Sequence, residues 1–176
     1  MELFARQGFA GTTIKDIAKK SGVTEGALYR HYVSKEELAA TLFERELARI
    51  QDFMTQALIR GASPEMKLRN VIAALYTSYK QDPWPLLFVV LNFQNLQGDS
   101  LLDRKKHVYD DIIRYTSQLI PDTLNGQDHE FLSTLITGLV VQPIIFHYYH
   151  RLPKHPAEYI DEICGSCCLL IGLKQA

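Results

Sequence analysis

Three groups of side chains in this sequence are of kinds that do chemistry, and each lies within a short stretch. Cys164, Cys167 and Cys168 contain a C-x-x-C spacing. Such a pair holds zinc when a second pair completes four ligands, or acts in redox when one thiol is exposed and of low pKa. These three are all the cysteines of the chain, so no second pair exists. Packing of small side chains is the preferred reading, thiol sensing the second, and no metal site is expected. His147 and His150 are three residues apart, on one helix face, with His155 nearby. Hydrogen-bonded or solvated histidines are preferred there over a metal-chelated effector. The third group is Thr12, Thr13, Thr24, Tyr29, Arg30, His31, Tyr32 and Lys35. Hydroxyls, rings that donate and cations form the donor set that meets phosphate oxygens and base edges.

Donors of that kind are useful only if a rigid element presents them together. Thr13 to Lys20 reads as a short helix with Ile14, Ile17 and Ala18 inward. Ser21-Gly22-Val23 follows, then a second helix from Thr24 to about Tyr32. Two helices joined by a short turn holding a glycine form the helix-turn-helix pattern. Gly22 supplies the positive φ that the turn needs. Ala18 lies where the two helices cross, and Ile17, Val23 and Leu28 are the expected shared core. Thr24 is placed to cap the second helix. A helical hairpin with no DNA role is the competing reading of the same residues.

The second helix is then the one that enters a major groove. Thr24, Glu25, Gly26 and Ala27 open it, and the two small residues let bases approach closely. Arg30 suits guanine or phosphate; Tyr29, His31 and Tyr32 suit phosphate oxygens. Lys35 adds a phosphate contact, and Thr12 and Thr13 open a helix whose free N–H groups attract anions.

The rest of the chain reads as helices and short connections. Leu38, Leu42, Phe43, Leu47, Ile50 and Met54 step by three and four along a helix of roughly 24 residues. Ser34 and Glu37 make a capping box at its start, and Gly61 ends it. Another helix starts at Ser63-Pro64 and stops at Asp82-Pro83-Trp84-Pro85. An apolar segment from Pro85 to about Leu96 follows, then a helix from about Leu101 to Ile120 and a turn at Leu124-Asn125-Gly126. A helix from Asp128 to about Tyr149 is apolar on most of its circumference and should be buried, with Pro143 a kink. The last helix runs from about Pro156 to Leu173. The fold class is all-α.

Composition limits the function classes. The chain has 176 residues and a net charge of −1, so a strongly basic nucleic-acid coat is excluded but a local patch is not. Residues 1–36 carry +2 and the remainder −3. No uninterrupted apolar run approaches the ~18 residues of a membrane span, and no membrane partner is expected. The cysteine usage suits a reducing cytoplasm. There is no Gly-x-Ser-x-Gly, phosphate loop, His-Glu-x-x-His or dinucleotide fingerprint, so no catalytic residue and no cofactor are expected. A thiol-dependent enzyme is the remaining catalytic alternative.

Leu3-Phe4, Gly8-Phe9, Thr12-Thr13, Ile17-Ala18, Gly22-Val23, Gly26, Leu28-Tyr29, His31-Tyr32 and Ser34-Lys35-Glu36-Glu37-Leu38 together resemble the N-terminal domain of TetR-type regulators. The resemblance covers residues 3–38. It implies a homodimeric, ligand-responsive transcriptional regulator, most often a repressor. It implies a three-helix DNA-binding domain over residues 1–38 and a larger α-helical effector-binding and dimerisation domain over 39–176. It also implies that Thr13, Tyr29, His31 and Lys35 touch DNA backbone, while residues 24–27 and Arg30 read bases. Members usually carry about two further helical turns ahead of the Leu-Phe pair, so the first helix here is expected to be short.

Beyond residue 38 the expectations rest on composition. Asn92, Gln94 and Gln142 interrupt apolar runs, as in ligand cavities that combine apolar walls with a few polar groups. Tyr76, Tyr79, Phe88, Asn92, Tyr109, Gln142 and Phe146 are the expected lining for a small apolar or aromatic effector. The last two helices are the dimer candidates, through Phe131, Leu132, Leu135, Ile136, Leu139 and Val140 on one. Ile160, Ile163, Cys164, Cys167 and Ile171 form the stripe on the other. A DNA-binding protein without any small-molecule effector is the other alternative.

Overall fold

The computed structural model describes residues 1–92, 114–118, 120 and 129–173. Among the described residues there is no strand. The order is α1 (Glu2–Gly11), α2 (Ile14–Ser21), α3 (Glu25–Tyr29), α4 (Lys35–Arg60), α5 (Pro64–Gln81), α6 (Pro83–Asn92), α7 (His129–Tyr148), a 3-10 turn (Pro156–Tyr159) and α8 (Ile160–Leu170).

Local chemistry accounts for most boundaries. The Ser34 hydroxyl accepts from the Glu37 N–H at 3.1 Å, and Ser63 does the same for Met66 at 3.2 Å. Those side chains satisfy N–H groups that a helix start otherwise leaves unpaired. The Ser34 box is offset by one residue, since the Glu37 carboxylate reaches the Val33 N–H. Gly61 ends α4 without a left-handed turn, at φ −87°. A Cβ there would lie 2.6 Å from the Lys67 nitrogen, so this glycine is needed for close approach to α5. The apolar segment expected after Pro85 is helical from Pro83 onward. Proline in the first turn loses no helical hydrogen bond. The expected helix over 101–120 and the turn at 124–126 lie outside the described residues, except that 114–117 are helical.

Two cores result. The larger joins α4, α5, α6, α7 and α8 through Leu68, Ile72, Leu87, Ile136, Ile144 and Ile171, among others. The smaller joins α1 and α6 to the first turns of α4 through Phe4, Ala39, Ala40, Phe43, Phe88 and Val89. The Phe88 ring lies 5.5 Å from that of Phe4 and 6.1 Å from that of Phe43.

α7 corrects an expectation. It is long and apolar enough, by length and composition alone, to cross a membrane. Here it is a bundle helix with two faces. Leu132, Ile136, Val140 and Ile144 are buried, while Phe131, Leu135, Leu139 and Phe146 are 58%, 37%, 38% and 45% exposed. The chain covers only one side of a helix whose circumference is mostly apolar.

Candidate nucleic-acid interface

The helix-turn-helix is assembled from backbone and hydroxyl groups. The Thr13 hydroxyl accepts from the Asp16 N–H at 3.1 Å, while the Asp16 carboxylate accepts from the Thr13 N–H at 3.2 Å. This reciprocal box fixes the start of α2. It also places the protein's own carboxylate at that helix start, held below the usual aspartate range chiefly by its bonds to Thr13. Gly22 ends α2 at φ 70°, ψ 23°, and the Val23 N–H closes the turn on the Ala18 carbonyl at 3.1 Å. No atom approaches within 4 Å of where a Gly22 Cβ would stand. Its requirement is therefore the left-handed backbone and not space. The Thr24 hydroxyl then accepts from the Ala27 N–H at 3.1 Å and starts α3.

α3 buries no side chain. Ala18 is buried as the crossing residue, but Val23 is 44% exposed and leaves the shared core expected of it. A five-residue helix on a tight turn offers too little area to cover it. Thr24, Glu25, Gly26, Tyr29, Arg30 and His31 are exposed, and Ala27 and Tyr32 half-buried. The helix expected to reach about Tyr32 ends at Tyr29, with Arg30 as its C-cap, and backbone bonds from Arg30 to Gly26 and from Tyr32 to Leu28 close the turn that follows. No Cβ contact within 4 Å would oppose a side chain at Gly26.

The cations divide into two sets. Arg6 and Lys20 both pair with Glu2. Lys15, Lys19 and Arg30 form no ion pair among the described residues and remain exposed. Lys35 differs from the expectation of a simple phosphate contact. Its ammonium donates to the Phe9 and Thr12 carbonyls, each at 2.9 Å, and sits 4.3 Å over the Phe9 ring. It thus ties the end of α1 to the start of α4, leaving one N–H for an anion. That clamp had no signal in the sequence, because its acceptors are main-chain carbonyls more than twenty residues away.

The seven residues expected to line an effector site do not share one wall. The Tyr76 hydroxyl donates to the Val140 carbonyl at 2.9 Å, in the larger core. The Tyr79 hydroxyl meets His147 Nδ1 at 2.9 Å. Phe88 and Asn92 belong instead to the smaller core, where the Asn92 amide donates to the Phe4 carbonyl at 3.2 Å and the Phe88 carbonyl at 3.1 Å. That polar group in an apolar run fastens α6 to α1. Gln142 and Phe146 are on the exposed face of α7. Tyr109 lies outside the described residues. Ser133, which nothing in the sequence singles out, is wholly buried, and its hydroxyl has no partner among the described residues.

The two other chemical groups resolve differently. All three cysteines are buried and free, and burial pushes the Cys164 and Cys167 thiols up to about 12. A thiol so disposed is the opposite of a low-pKa sensor. Cys164, Cys167 and Ile171 thereby leave the expected dimer stripe for the subunit core, as do Leu132, Ile136 and Val140. Among the described residues no three metal-binding side chains converge. His147 pairs with His155 across 5.1 Å, not with His150, whose φ of 55° turns the chain out of α7.

A family model described as bacterial regulatory proteins, tetR family, matches residues 1–42. The uncharacterized HTH-type transcriptional regulator YxbF of Bacillus subtilis is 38% identical over 73 residues, 42% of this chain and 18% of that one. The HTH-type transcriptional regulator SrpR of Pseudomonas putida is 29% identical over 183 residues, 97% of this chain and 81% of that one. The transcriptional regulator FadR of Bacillus subtilis, solved in complex with stearoyl-CoA, shares the fold at a TM-score of 0.77. It has 16% identity, and the match covers 99% of this chain and 95% of that one. The chain spans well under half the length of several curated relatives it matches, from 18% to 36%.

Proposed function

The chain belongs to the tetR family of bacterial regulatory proteins, and on that premise we propose that it is a homodimeric transcriptional regulator. In this reading it is a cytoplasmic repressor that leaves a pseudo-palindromic operator when a small apolar or aromatic effector binds. Residues 1–38 form the DNA-binding unit and 39–176 the effector and dimer unit. Thr24, Glu25, Gly26, Ala27 and Arg30 face base edges. Thr13, Tyr29, His31, Tyr32 and the remaining N–H of Lys35 face phosphates. The protein carries out no turnover.

The observation that carries this reading is α3, a helix with two firm turns around it and no buried side chain of its own. A helix that contributes nothing to the protein's core is maintained for what lies outside it. Its open space at Gly26 supports the same reading, since glycine costs a helix about 1 kcal/mol relative to alanine and nothing internal requires it. The dimer reading is supported by the exposed apolar face of α7, which stands beside α8 across a groove lined by Leu139, Pro143 and Ile163. Two helices from each subunit would form an isologous four-helix interface. For the effector, Tyr76, Tyr79 and the Ser133 hydroxyl, which has no partner among the described residues, are buried or half-buried polar groups beside apolar side chains, the combination ligand sites use. The neighbouring fold solved with stearoyl-CoA is consistent with an apolar guest. An effector that shifts α6 would pull on α1 through Asn92 and Phe88 and so reposition α3.

Fluorescence anisotropy against DNA flanking the protein's own gene, with a scrambled duplex beside it, tests this. The reading predicts preference for the flanking DNA by ~10³-fold or more, with two subunits per site. Equal, salt-sensitive binding to both duplexes, or binding to neither, contradicts it.

A further inference from the structure

The corner where α7 gives way to the 3-10 turn brings three rings together, and two of them, His147 and His155, have no part in the proposed regulator function. Tyr79 comes from the last turn of α5, His147 from the last turn of α7, and His155 immediately precedes the 3-10 turn. His155 stacks on Tyr79 at 5.3 Å and meets His147 edge-on at 5.1 Å. Its role is defined by one hydrogen bond: the Ala157 N–H donates to His155 Nδ1 at 3.1 Å. The Glu158 carboxylate returns the bond by accepting from the His155 N–H at 3.2 Å. Histidine therefore occupies the place that serine or aspartate takes in an ordinary capping box.

That substitution has a chemical consequence. An Nδ1 that accepts a hydrogen bond must be unprotonated, so the neutral ring carries its proton on Nε2. This removes His155 as a metal ligand, since neither nitrogen then offers a free lone pair. Protonation at Nδ1 would set two N–H donors against each other and abolish the cap. We propose that His155 is a proton-operated latch. Neutral, it fastens the turn that leads the chain from α7 into α8; on taking up a proton in mildly acid solution it releases that turn.

The surroundings favour the neutral form. Burial lowers the His155 pKa first, then the neighbouring His147 and Lys80, with only Glu158 opposing. From α5 the corner is faced by Tyr79 and Lys80, from α7 by His147 and Tyr148, and from the turn itself by Glu158. Burial, and then Tyr148, raise the Tyr79 hydroxyl, so it stays protonated throughout. A histidine with a lowered folded pKa contributes stability above its unfolded value of about 6.5. That contribution is lost as pH falls through the folded value. Leu152 and Tyr159, on either side of His155, line the groove between α7 and α8. An effect on subunit pairing rests on the dimer reading above; the latch itself does not.

The test is amide hydrogen exchange of the full chain, read by NMR at about pH 7.5 and about pH 5, with the intrinsic rate at each pH divided out. Protection of the Ala157 amide should fall by roughly tenfold or more in acid, while that of Ile72 in the main core holds. His155→Asn keeps an acceptor that does not titrate, so Ala157 should stay protected at both pH values. The melting temperature of the natural chain should drop by about 2–4 °C more than that of the variant over the same interval. Unchanged Ala157 protection in the natural chain, or the same acid loss in His155→Asn, overturns the latch. If the variant does not fold, the natural chain's Ala157 against Ile72 comparison decides. DNA binding is measured at neutral pH, so a failed latch and a failed regulator reading appear in different experiments.

Discussion

The two ends of the chain are stabilised by different means. Residues 12–34 hold their geometry with hydroxyl caps, one left-handed glycine and short-range backbone bonds, and α3 buries nothing. The bundle from α4 to α8 holds its geometry with apolar area, within which the buried Tyr76 hydroxyl serves a main-chain acceptor. Between them lies the joint of Phe4, Phe43, Phe88 and Asn92, which shares features of both. The difference shows how the chain keeps a fixed but fully presented surface. Local bonds set the shape of the head, the bundle supplies cooperativity, and the joint transfers one to the other.

The strongest way to break this division is to remove the joint. Phe88→Ala deletes a ring that is fully buried between Phe4 and Phe43. Such truncations cost about 3–5 kcal/mol. Urea unfolding should show that loss, with the head melting ahead of the bundle. A smaller loss spread evenly over both would mean the head does not depend on the joint. Gly22→Ala comes next. Placing a Cβ at φ 70° costs about 1–2 kcal/mol, and the loss should appear in the head alone. DNA binding should weaken while near-native helicity of the bundle is retained.

Gly26→Ala sharpens the comparison because its signs oppose. Alanine should stabilise the free protein by up to about 1 kcal/mol, as nothing internal crowds it. Affinity for DNA should nevertheless fall, because the added methyl group stands on the face offered to bases. Equal or better affinity would remove Gly26 from the interface. The smallest effect belongs to the bundle's thiols. With Cys164 and Cys167 pushed up to about 12 by burial, iodoacetamide at neutral pH should leave the native protein unmodified. The same reagent should label all three cysteines in urea. Rapid labelling of the native protein would restore the thiol-sensing alternative.

The head was legible in the sequence because its determinants are local. Thr13, Thr24 and Ser34 each act on an N–H group three residues ahead. Gly22 acts on its own φ. The bundle was legible as helices, but the direction each side chain faces was not. Asn92 read as a ligand contact because a polar group in an apolar run signals a cavity equally well as a buried bond to a distant carbonyl. Its partner is Phe4, 88 residues away. Leu132 and Leu135 are alike in sequence, yet one is buried and the other exposed, since only the subunit's own packing divides the circumference of α7. Lys35 read as a cation for phosphate for the same reason, its acceptors being carbonyls that only the fold brings to it.

In the proposed function α3 reads DNA as one of two symmetry-related copies. Selection of bound sequences from a random duplex library, using the intact protein at physiological salt, tests it most directly. The expected result is an enriched site of two inverted half-sites whose centres lie one helical turn apart, ~34–36 Å, with enrichment lost in Arg30→Ala. An unenriched library, or an enriched site without two-fold symmetry that Arg30→Ala still selects, would contradict it.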